Sequence, residues 1–260
     1  MGLAAPMMLI AALVAAPTPA GAVASEFIIR GTPIINDLGG GVTEFVIDDA
    51  GDKAGIGSND INGATLGSIT ALAITRVDDR TRFTAGSGPY VAPYVNIWIT
   101  DGLGNYAVVA NEPSDANFQP LYNNGYNLSF ADLSGKAAKI YENSDKSWLP
   151  NNGVGLTFAD LAGFIIQAPS VAELVAAWPG LGTGAPRELG TNIAYGVNWV
   201  FGDTLSNYLS GDPGYQVSNA RFAAASVPEP STLLLFGAGL AGLGWVRRRQ
   251  AARRMPRRQA

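Results

Sequence analysis

Val95-Asn96-Ile97-Trp98-Ile99-Thr100, then Asp101-Gly102-Leu103-Gly104, then Tyr106-Ala107-Val108-Val109-Ala110, is the passage that decides the fold. β-Branched and aromatic residues crowd both arms, and such residues suit a pleated surface. Val95, Ile97 and Ile99 recur with period two, so they share one face. An Asp and two glycines between the arms supply the chemistry of a tight connection. The passage reads as a hairpin with one apolar face turned inward, placing Ile97 in the core and Trp98 on the opposite side.

Outward from this hairpin, residues 25–226 read as further short strands separated by Gly, Asn and Asp turns. The pattern predicts strands over Glu26–Arg30, Thr43–Asp48, Ser68–Arg76, Tyr94–Thr100, Tyr106–Ala110, Lys139–Glu142, Phe164–Ala168, Asn192–Phe201 and Tyr215–Phe222. Nine strands with regular turns predict a mainly β protein, a single β-sandwich of jelly-roll type with one or two short helices. One helix is announced by Ser170-Val171-Ala172-Glu173, a capping box in which hydroxyl and carboxylate satisfy each other's backbone N–H groups. It should run from Val171 to Trp178 and stop at Pro179-Gly180. A four-residue word occurs twice, Phe130-Ala131-Asp132-Leu133 and Phe158-Ala159-Asp160-Leu161, and reads as two turns of similar shape.

Charge divides the chain into three. Residues 1–24 carry no charged side chain, residues 25–226 carry 10 basic and 20 acidic residues, and residues 227–260 carry seven Arg and one Glu. An acidic body speaks against nucleic acid, whose phosphates need a basic surface. The chain has no Cys and no His, which excludes Ser-His-Asp and Cys-His triads, thiolate nucleophiles, disulfides and His-ligated zinc. All four Met lie in the two ends, so the body offers no thioether or thiol to oxidants.

The ends read as addresses. Residues 7–16, MMLIAALVAA, are an apolar stretch of signal-peptide length, followed by Ala20-Gly21-Ala22 and Ala22-Val23-Ala24, both of which fit a signal-peptidase site. At the other end stand Val227-Pro228-Glu229-Pro230 and 17 uncharged residues from Pro230 to Val246. As a helix that stretch is about 25 Å long, the lower limit for a membrane span. Arg247, Arg248 and Arg249 open a run of seven arginines that stops transfer and keeps this end cytoplasmic. The expected organisation is a signal peptide (1–24), an extracellular β-sandwich (25–226) and a sorting tail with a transmembrane helix (227–260).

The order of tripeptide, short glycine-rich span and arginine cluster resembles the sorting tail of PEP-CTERM proteins. The resemblance covers residues 227–260. It implies recognition by an exosortase, a membrane transpeptidase, with cleavage near Pro228-Glu229-Pro230 of an inner-membrane precursor. It also implies a destination at the cell surface or outside it, in bacteria that make exopolysaccharide.

Three constellations in the body could carry chemistry. Asp48, Asp49, Asp52 and Asp60 lie in glycine-flexed loops, and clustered carboxylates are what Ca²⁺ takes, though the spacing is not that of an EF-hand. The competing reading is a solvated hairpin loop. Tyr122, Tyr126 and Trp148 stand among Asn and Gly, and flat aromatic faces beside amide donors suit sugar rings. Asn and Gly are also what turns use. Paired carboxylates for glycoside hydrolysis need neither His nor Cys, but no pair among the 20 acids is marked out. The sequence therefore predicts a non-enzymatic exported protein, structural or adhesive in an exopolysaccharide or biofilm setting, with no cofactor other than Ca²⁺. A carbohydrate-binding module and a carboxylate-dependent glycosidase or lyase are the alternatives.

Overall fold

The computed structural model describes residues 24–49, 51–78, 92–111, 125–141, 146–170, 172–173, 194–202, 212–225 and 239–240. Twelve strands appear among them. They are β1 (Ser25–Arg30), β2 (Ile34–Gly39), β3 (Val42–Val46), β4 (Lys53–Ser58), β5 (Ile69–Arg76) and β6 (Tyr94–Thr100). There follow β7 (Tyr106–Ala110), β8 (Asn127–Leu128), β9 (Lys139–Tyr141), β10 (Ile165–Ile166), β11 (Val197–Phe201) and β12 (Tyr215–Ala224). One α-helical turn, α1 (Phe130–Leu133), lies between β8 and β9. The protein is thus mainly β with few helices.

The strands form two antiparallel sheets. The larger runs β1-β4-β11-β6-β7-β9, with β10 also on β6, and the smaller runs β2-β3-β12-β5-β8. Phe45, Leu72, Ile74, Tyr215 and Val217 from the smaller sheet share one core with Val95, Ile97, Ile99, Val197 and Trp199 from the larger. Stacked rings of Phe45 and Phe201, 4.2 Å apart, span the two sheets. Burying side chains from both sheets is what offsets the chain entropy of so many short strands.

The hairpin forms with the expected bounds, pairing Ile97 with Val109 and Ile99 with Ala107. Asp101 organises its turn: one oxygen accepts from the N–H of Leu103 and the other from the Asn105 amide. Gly102 and Gly104 take positive φ there, a conformation costly for other residues. The expectation of a single buried face needs correction. Trp98 does lie on the face opposite Ile97, yet it is 1 % exposed, and every residue of β6 and β7 is buried. A second cluster, Phe27, Ile29, Tyr94, Tyr195 and Val200, occupies this outer face. Tyr195 folds back over Gly57, where a side chain would meet its ring 2.6 Å away.

The repeated word makes two turns of one design. Asp132 accepts from the N–H and hydroxyl of Ser129, and Asp160 accepts in the same way from Thr157. Leu133 and Leu161, which end the two words, are fully buried. The capping box at Ser170 and Glu173 is present, with both reciprocal bonds made. Residues 172–173 are helical, and the rest of that expected helix lies outside the described residues. Among the described residues no helix is long and apolar enough to cross a membrane. The expected signal helix and almost all of the expected tail helix also fall outside them.

Candidate functional site

The chain passes between the sheets twice at one corner. Residues 31–33 carry it from β1 to β2, and residues 47–52 carry it back from β3 to β4. Asp52 joins the two crossings, because its Oδ1 accepts the N–H of Thr32 at 3.2 Å. Its own N–H donates to the Asp49 carbonyl and closes the second crossing into a tight turn. Glycine makes room for this: a side chain on Gly31 would collide with Asp52 Oδ1, and one on Gly202 with the Asp52 carbonyl.

Here the folded chain gathers three acids. One carboxylate oxygen from each of Asp48, Asp49 and Asp52 lies within 4.8 Å of the other two. Asp48 and Asp49 are exposed, whereas Asp52 is 5 % exposed and its Oδ2 has no hydrogen-bond partner. Burial, followed by the negative charges of Asp49 and Asp48, raises the Asp52 carboxyl above the usual aspartate range, despite the Thr32 hydrogen bond and the nearby Arg30. Arg30 donates through Nε to the Gly51 carbonyl, which brings one positive charge to the corner.

The other anticipated residues are placed differently. Asp60 is not in this group: it lies beyond the far end of β4, six extended residues away, where its N–H bonds Ser58 Oγ. Tyr126 is buried with positive φ, its hydroxyl accepts from Arg76, and its ring stands edge-on to Trp199. That ring face is therefore not presented to solvent. Trp148 is half-buried and meets Phe164 edge to face. Tyr122, the motif Val227-Pro228-Glu229-Pro230 and the run Arg247-Arg248-Arg249 lie outside the described residues.

Sequence reading did not anticipate an open cleft of about 260 Å³ between the sheets. Glu26, Thr43, Ile56, Ser218 and Asn219 are among its lining residues, and the Thr43 hydroxyl donates to Glu26. Asn219 has positive φ at an irregularity in β12, which no local pattern announces. Among the described residues that line it, Glu26 is the one carboxylate.

Comparison with known families identifies a PEP-CTERM protein-sorting motif at residues 226–249. The match covers tripeptide, span and first arginines, the features that carry the resemblance in the sequence. A tail of this kind implies export with processing at the membrane. No curated protein and no solved structure matches the chain.

Proposed function

We propose that the chain is a non-enzymatic exported protein, handed by its tail to an exosortase and delivered to the cell surface or an exopolysaccharide matrix, where its β body is structural or adhesive. The observation that carries this reading is the sorting motif at residues 226–249. The signal-peptide pattern of residues 1–24 supports it, since a C-terminal sorting signal needs prior entry into the membrane. Strand order supports reading the body as a jelly roll: β3-β12-β5-β8 lies in one sheet and β4-β11-β6-β7 in the other. β3 to β6 alternate between those sheets, β6 and β7 stay together as a hairpin, and β7, β8, β11 and β12 alternate again, as in a jelly roll.

The test compares hosts with and without an exosortase. With the enzyme, the protein should be recovered from surface or medium in a form shortened at the C-terminus. Without it, the protein should remain in the inner membrane at full tail length. The same fate in both hosts would reduce the tail to a plain anchor.

A carbohydrate-binding role is the second reading, favoured by the polar cleft at Glu26, Thr43, Ser218 and Asn219, since hydroxyl-rich ligands need such donors and acceptors. Glycan-array binding that is lost on Asn219→Ala supports it, and an array without signal removes it.

A further inference from the structure

We propose that Asp48, Asp49 and Asp52 form a Ca²⁺ site that clamps the two crossings between the sheets to each other. Exposed acids on a loop would not by themselves carry this. Asp52 does, because it is 5 % exposed and keeps one carboxylate oxygen, Oδ2, buried without any hydrogen-bond partner. A buried carboxylate oxygen left in that state costs free energy, and a cation removes the cost.

Carboxylate oxygens suit a hard divalent cation, and the flexible coordination of Ca²⁺ suits a loop site better than the strict octahedron of Mg²⁺. Oxygens on opposite sides of Ca²⁺, each 2.3–2.6 Å away, stand about 5 Å apart, against about 4.2 Å around Mg²⁺. The three carboxylate oxygens, none more than 4.8 Å from another, can stand around one such ion. Waters and backbone carbonyls complete the coordination that three carboxylates leave open. Asp48 and Asp49 belong to the β3–β4 crossing, and Asp52 already holds the β1–β2 crossing through Thr32, so an ion shared by all three ties the crossings together.

The proposal rests on the export reading only for the supply of ion, since calcium is plentiful outside cells and sites there are weak, with Kd about 10⁻⁴–10⁻³ M. Binding in vitro is independent of sorting, so failure of either reading leaves the other standing.

The test is thermal melting of the full chain in mild detergent, in 10 mM CaCl₂, in chelator, in MgCl₂ and in NaCl of matched ionic strength. Calcium should raise Tm by about 5 °C, with a smaller rise in Mg²⁺ and none in matched NaCl. Asp49→Asn, at an exposed side chain, should abolish most of the calcium response while leaving Tm in chelator unchanged or higher. Asp52→Asn, which keeps an acceptor for Thr32, should do the same to the calcium response. Equal melting in calcium and chelator, an equal rise in matched NaCl, or a full response in both variants overturns the site.

Discussion

Glu44 and Asp52 are carboxylates on neighbouring segments with opposite environments, and the contrast is settled by their hydrogen bonds. Glu44, half-buried on β3, accepts from Asn36 of β2, from the Gln216 amide of β12 and from the N–H of Gly214. Burial works to raise its proton affinity, but these three donors outweigh it and hold the carboxyl below the usual glutamate range. An acid with a lowered folded pKa adds stability that is present above its unfolded value and is lost as pH falls through the folded one. Glu44→Gln, which turns one acceptor into a donor facing the Asn36 amide, should therefore cost about 1–2 kcal/mol at pH 7. The cost should shrink towards zero as pH falls below the glutamate range, read by urea unfolding at pH 7 and pH 3. A cost independent of pH would mean that the carboxylate charge takes no part.

At the scale of elements, the covered outer face of the larger sheet is the feature with the largest energetic consequence. Trp98→Ala should cost about 3–5 kcal/mol, because it empties a large site that is closed on all sides. Urea unfolding measures this, and a cost below about 1 kcal/mol would mean that the outer face is open in solution. Strand β6 was readable because its branched and aromatic residues favour a strand in any context. β4 was not readable: Lys53-Ala54-Gly55-Ile56-Gly57-Ser58 has no aromatic residue and two glycines, which weaken a strand locally. Its side chains are in effect supplied from elsewhere, with Phe27 pressed over Gly55 and Tyr195 over Gly57. β2 escaped for another reason. It is an edge strand with exposed residues, and Asn36, Asp37 and Gly39 read as a turn. The acidic corner was half legible: Asp48, Asp49 and Asp52 are adjacent in sequence, but the glycines that shape the site, Gly31 and Gly202, come from distant segments. Asp60 seemed a member by sequence distance alone, and the straight run of β4 carries it away.

For the whole molecule, an acidic body of residues 25–226 stands between an uncharged N-terminal stretch and an arginine-rich end, an asymmetry that suits passage across a membrane with the tail held back. β1 begins at Ser25, directly after the expected signal-peptidase region, and β12 ends at Ala224, three residues before Val227. Removal of both ends would therefore leave every described strand intact. The most direct measurement is the intact mass of the protein recovered from the surface or medium of a host that has an exosortase. Loss of residues 1–22 or 1–24, together with loss of the tail from near Pro228-Glu229-Pro230 onward, is the result expected here. Recovered protein that still yields a peptide containing Arg253-Arg254-Met255 would contradict it.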